Sequence, residues 1–195
     1  LDREAPATDE PPDSFLSTPD LPFVPVGATL DPALVLDLRE TERQEDVLVY
    51  TSAPLEAPLV LHGQFILELH VAADAPDADV VCWLADVPPD GRTTRISRGL
   101  LRLRYRDGFD RERPLVPDEP VSVCIHMDHV GHEVAAGHRL RLLVGSTVFP
   151  LLDPNPNTGE PIATAPTVRT ARESVFHDRA RPSRLLLPVL PKGAR

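Results

Sequence analysis

Gly99-Leu-Leu-Arg-Leu-Arg-Tyr-Arg-Asp-Gly108 decides the reading of this chain. Leu101, Leu103 and Tyr105 alternate with Arg102, Arg104 and Arg106, so a two-residue period sends an apolar row to one face and a guanidinium row to the other. The period predicts a half-buried antiparallel strand over roughly Thr93 to Arg106. The same alternation recurs on either side. Leu59, Leu61, Phe65, Leu67, Leu69 and Val71 oppose His62, Gln64, Glu68 and His70. Val121, Val123, Ile125 and Met127 oppose Ser122, Cys124, His126 and Asp128, while Leu140, Leu142 and Val144 oppose Arg139 and Arg141. Val80-Val-Cys-Trp-Leu84 is apolar on both faces and suits an interior strand. Val47 to Tyr50, Ser174 to His177 and Leu185 to Val189 add further strands. Turn residues separate them, notably Pro88-Pro-Asp-Gly91 and the prolines at 114 and 120. About eight or nine strands with long loops, and no stretch suited to repeated βαβ crossovers, predict an all-β, two-sheet sandwich.

The 195 residues can bury one substantial core, and one principal domain is expected. Twenty Lys plus Arg against thirty Asp plus Glu give a net charge of -10, which disfavours a nucleic-acid surface despite the local arginine rows. Every apolar run is too short for a helical membrane span, and the start lacks the basic-then-apolar pattern of a secretory signal. No nucleic-acid or membrane partner and a cytoplasmic location are therefore expected. The acidic opening Leu1-Asp-Arg-Glu4 reads as the interior of a longer protein. Cys82 and Cys124 exclude a dense disulfide scaffold; buried free thiols are expected, with a single bridge left open.

Prolines at 6, 11, 12, 19 and 22 prevent a regular helix or central strand near the N-terminus. That segment reads as an ordered strap or a linker, with Phe15, Leu21, Phe23 and Val24 as apolar anchors. Leu30 to Leu38 is ambiguous. The expected organisation is a Pro-rich strap and connecting segment at 1–45, the sandwich at 46–190 and a tail at 191–195.

No Gly-x-Ser-x-Gly elbow occurs, and Ser146 after Gly145 sits at a strand end rather than a strand-to-helix turn. Walker, dinucleotide-binding and cysteine-rich zinc patterns are also missing, so no catalytic residue, cofactor or metal is assigned. His126, His129 and His132, with His138 beyond, make the best case for a metal or reactive site. The preceding strand and Gly131 argue against a helix that would align them, and loop ligands need a further donor such as Asp128. His138, directly after Gly137, is better placed to tie a turn to a neighbour. Asp153, Asn155 and Asn157 lie in Asp153-Pro-Asn-Pro-Asn-Thr-Gly159, whose prolines and glycine suit a rigid structural loop better than a calcium loop. Arg102, Arg104, Arg106, Arg139 and Arg141 either clamp carboxylates across a domain interface or line a solvated face. Trp83 and Tyr105 are candidate sugar-stacking rings, but each falls in an apolar row that favours core packing.

On these residues the chain resembles the C-terminal domain of the X-Pro dipeptidyl-peptidase and cocaine-esterase (CocE/NonD) family of serine hydrolases. The resemblance begins in Phe15 to Leu30 and runs through Asp46-Val-Leu-Val-Tyr-Thr-Ser-Ala-Pro-Leu55, Ala72-Ala-Asp-Ala-Pro-Asp77 and Asp86-Val-Pro-Pro-Asp-Gly-Arg92. It continues in Leu100 to Gly108, Gly137 to Leu142, Phe149-Pro150, Asp153 to Gly159, Val175-Phe-His-Asp178 and Pro182-Ser183. Met127 to Glu133 and Leu151-Leu152 depart from the family pattern. The resemblance implies a jelly-roll-like, galactose-binding-domain-like sandwich attached to an α/β-hydrolase domain with a helical cap. It further implies that the Ser-His-Asp triad lies upstream, that this module packs on those two domains, and that it contributes to the substrate cleft or a homo-oligomer. Family members hydrolyse esters, amides or X-Pro peptides. A free-standing carbohydrate- or ligand-binding jelly roll is the competing reading.

Overall fold

The computed structural model describes residues 1–19, 37–149 and 151–191. The anchors expected at Leu21, Phe23 and Val24, most of the ambiguous stretch 30–38, Pro150 and residues 192–195 of the expected tail lie outside the described residues.

Nine strands form two antiparallel sheets among the described residues: β1 (Asp13–Ser17), β2 (Leu48–Thr51), β3 (Leu59–Ala73), β4 (Asp79–Val87), β5 (Thr94–Arg102), β6 (Val121–Val134), β7 (Arg139–Gly145), β8 (Ala171–Phe176) and β9 (Arg184–Leu186). One sheet runs β1-β8-β3-β6, with β9 also paired to β3; the other runs β2-β7-β4-β5. Alternation places Leu61, Phe65, Leu67, Leu69 and Val71 of β3 and Val123, Ile125 and Met127 of β6 in one buried cluster, facing Val80, Cys82, Leu84, Leu142 and Val144 of the other sheet. The expected inward rows therefore form the core.

β4 is buried along its whole length, as its two-sided apolar sequence requires. Its second face belongs to a separate cluster, in which Leu38 and Val148 cover Val81, Trp83, Ala85 and Leu143. β5 closes against β6 at Gly99, where any Cβ would come within 2.8 Å of the Ile125 and Met127 side chains. Only glycine admits that approach.

Two expectations are corrected. The arginine-bearing strand stops at Arg102, and Leu103–Tyr105 forms a 3-10 turn. Leu103 N–H donates to Ala78 C=O (2.9 Å), which ends the ladder and breaks the two-residue period, so Arg104 turns inward beside Leu103. Tyr105 leaves the buried row: it is partly exposed, and its hydroxyl donates to Glu112. Second, β6 continues past Gly131 to Val134, because Gly131 pairs in register with His62. His129 and His132 are strand residues, not loop residues. The N-terminal segment also contributes a strand: β1 lies at a sheet edge on β8, where flanking prolines cost no ladder bonds.

Both cysteines are free. Cys82 is fully buried, its thiol directed at Gly99 C=O and pushed up to about 12 by desolvation. Cys124, expected to be buried, is instead exposed, because it occupies the outward row of β6.

Candidate functional site

The arginines read as an outward row converge instead on a polar seam joining the two sheets. β4 and β5 pair Asp79 with Arg102 in register, and the Arg102 guanidinium donates twice to the Asp79 carboxylate, both at 2.8 Å. Two residues before Asp79, Asp77 accepts from the Arg104 backbone N–H (3.1 Å) and from Arg104 Nε (2.7 Å). Arg104 also donates to Glu112 (3.3 Å) and to Glu160 C=O (3.1 Å), and its side chain is 5% exposed. Burial of a guanidinium is tolerated only when its donors find acceptors, and Arg104 uses the whole fork.

The Asp153–Gly159 loop completes the seam. Asn155 Nδ2 donates to both Asp77 and Asp79 at 2.7 Å, and Asn155 Oδ1 accepts from the Asn157 N–H. Asn157 adopts φ +60°, a conformation asparagine tolerates, and its amide donates to Arg169 C=O (3.0 Å) and to the Ser17 hydroxyl of β1 (3.3 Å). Both asparagines are buried, whereas Asp153 stays exposed at the loop's start. Glu173 of β8 is fully buried in the same region, with neither carboxyl oxygen hydrogen-bonded in good geometry among the described residues. Desolvation, reinforced by Asp79 and Asp77, raises its pKa well above the ordinary carboxyl value, against a weaker opposite pull from the Ser17 hydroxyl. Desolvation also raises Asp79, although Arg102 and Asn155 oppose it.

Arg106 serves a neighbouring loop: its guanidinium donates to the carbonyls of Leu103, Arg113 and Pro114, closing the turn that carries Phe109. Phe109 is 87% exposed and leans on Tyr105, with ring centroids 5.8 Å apart. Arg139 and Arg141 are likewise engaged, with Ser52 C=O and with Glu42 and Thr51 respectively.

The histidine series divides. His132 Nε2 and His138 Nδ1 meet the two oxygens of Asp86, at 3.1 and 2.7 Å, tying β6, the start of β7 and the end of β4 at one end of the sandwich. The His138 contact spans 52 residues of sequence. His126 and His129 remain exposed on β6. Among the described residues no group of three or more His, Cys, Asp or Glu side chains is arranged to hold a metal. Cys124 Sγ lies 3.9 Å from His126 Nε2 two residues along the outward face of β6, too long for an activated pair. Ser146 lines a cavity of about 10 Å³ with Ser17, Asp46, Thr147 and Asn155, which has room for one water and none for an organic substrate.

Sequence reading missed the seam because its acids come from a turn and a fully buried strand, and Glu173 from an alternating one. The available signal was the Asp77-x-Asp79 pair two residues apart before an apolar run, matching the Arg102-x-Arg104 spacing.

A β-sandwich with a structural polar seam is the class these features define. The chain belongs to the X-Pro dipeptidyl-peptidase C-terminal non-catalytic domain family, whose model matches residues 3–186. It is 31% identical over 189 residues to cocaine esterase of Rhodococcus sp. (strain MB1 Bresler), covering 92% of this chain and 32% of that protein. An aminopeptidase from a marine sediment archaeon, Thaumarchaeota archaeon, superposes with TM-score 0.89 at 31% identity over 96% of this chain and 34% of the other. An α-amino acid ester hydrolase superposes with TM-score 0.88 at 29% identity, over the same shares. The chain thus spans about a third of the length of these relatives.

Proposed function

We propose that this chain is the non-catalytic, jelly-roll-like and galactose-binding-domain-like C-terminal sandwich of a CocE/NonD-type serine hydrolase. Hydrolysis of an ester, amide or X-Pro peptide is assigned to an α/β-hydrolase domain with its cap, elsewhere in the protein. The observation that carries this reading is the family match over 3–186 in a chain that spans a third of esterase and peptidase relatives. The internal chemistry agrees with it: Arg102, Arg104, Asn155 and Asn157 spend their polar groups on holding the sandwich together.

In this reading residues 1–45 strap the sandwich of 46–190, with β1 as the strap's attachment, and 191–195 form a tail. The contact with the catalytic part is assigned to the loop that Arg104 and Arg106 brace, because it presents Phe109 and the 59%-exposed Val116. Support of the substrate cleft and of a homo-oligomer belongs to the same proposal. For a free-standing sugar-binding module the Trp83 ring is unavailable, since it is buried in the core.

The coding sequence adjoining this chain tests the proposal. A Gly-x-Ser-x-Gly elbow followed by an acid and a histidine is expected; an adjoining sequence without one removes the serine-hydrolase assignment.

A further inference from the structure

We propose that the polar seam is closed by a buried proton: Glu173 is a neutral carboxylic acid that donates a hydrogen bond within the seam and thereby locks the N-terminal strand β1 onto β8. Three observations converge on this. First, Glu173 is 0% exposed and neither of its oxygens has a hydrogen-bond partner of good geometry among the described residues, a costly state for a carboxylate. The Ser17 hydroxyl is a neighbouring donor that only partly offsets burial. Second, the charges around it are already matched. Asp79 from β4 is taken by Arg102 of β5, and Asp77 from the turn before β4 by Arg104. An ionised Glu173 adds a further negative charge to Asp77, Asp79 and Glu112, which already share two guanidiniums. Third, the seam contains a buried acceptor, Asn157 Oδ1, that meets no donor among the described residues, while the Asn157 amide already bonds the Ser17 hydroxyl. A proton on Glu173 adds a second donor, beside the Ser17 hydroxyl, to a group of buried acceptors.

The location gives the proton a role. Glu173 pairs in register with Phe15 of β1 on one side and with Ala73 of β3 on the other. Ser17, two residues from Phe15 on the same buried face, reaches the Asn157 loop. Loss of the proton leaves an unpaired charge directly behind the strand that holds the N-terminal segment.

Between the ordinary carboxyl value of 4.5 and its raised folded value, Glu173 binds a proton in the folded chain that the unfolded chain has released. Stability therefore falls as pH rises through that window and levels off above the folded value. Glu173→Gln supplies a permanent amide donor and removes the titration. Both forms are compared in a His177→Gln background, so that the His177 contacts with Glu10 and Asp13 do not contribute.

Thermal melting is followed from about pH 4.5 to about pH 9, with hydrogen exchange of the β1 amides. The Glu173→Gln form is expected to lack the decline seen in the Glu173 form, to melt higher at the alkaline end, and to keep β1 protected there. An infrared C=O band of a protonated carboxyl, present with Glu173 and lost with Gln, is the independent readout. Superimposable pH profiles, failure of the Gln form to fold, or calcium restoring the Glu173 form but not the Gln form at high pH would each overturn the proposal, the last in favour of a cation.

Discussion

Arg104 and Asp77 form a buried ion pair, with Nε 2.7 Å from the carboxylate and both side chains at most 5% exposed. Arg104 lies two residues beyond the end of β5, and the pair fixes the direction of the chain into the 103–114 loop. Removing one partner strands the other, so Arg104→Ala is expected to cost about 3–5 kcal/mol of stability. Arg104→Lys should rescue little, since a single ammonium cannot reach Asp77, Glu112 and Glu160 C=O together. Denaturant unfolding checks both; a loss below about 1 kcal/mol contradicts the buried-pair reading.

Gly99→Ala tests the closure of the sandwich. Its Cβ would overlap Ile125 and Met127 at 2.8 Å, with Cys82 Sγ at 3.1 Å. A loss of about 1–3 kcal/mol is expected, typical of overpacking. Gly137→Ala finds no atom within 4 Å but holds φ +82°, so its cost is conformational and serves as a control for strain without collision.

His177 reports on the N-terminal strap. Its two ring nitrogens meet Glu10 and Asp13, each at 2.9 Å. Burial opposes its charge, but the two carboxylates outweigh that and raise its pKa above 6.5. The contribution is fully present below the unfolded value and lost as pH rises through the raised folded value. His177→Gln should therefore weaken the chain at about pH 6 and make little difference well above the folded pKa. An equal effect at all pH values refutes a charged histidine.

Deleting residues 1–17 removes β1 and leaves the β8 edge and the Glu173 side unpaired. Lower melting and concentration-dependent association are expected, because an uncovered edge pairs with other chains. Unchanged solubility and melting would mark the segment as a linker.

Most of the architecture was legible from alternation. Leu61 to Val71, Val123 to Met127 and Leu140 to Val144 face inward as their two-residue spacing demands, and Val80–Leu84 is the interior strand. The period failed at Leu103, where a hydrogen bond to Ala78 and the pull of Asp77 outweigh strand continuation. It also hid Glu173, since an acid in an inward position reads as a misfit until Asp79, Ser17 and Asp77 are brought beside it by contacts distant in sequence. His138 was legible because a glycine turn precedes it; its acceptor, Asp86, lies 52 residues away and was not.

Fluorophosphonate labelling of the full-length protein, followed by mapping of the modified residue, tests the central claim most directly. One labelled serine is expected, outside the 195 residues described by this sequence, and the isolated chain should remain unlabelled and inert toward ester and X-Pro substrates. Stoichiometric labelling of a residue within this chain, Ser146 included, would contradict the assignment of a non-catalytic sandwich.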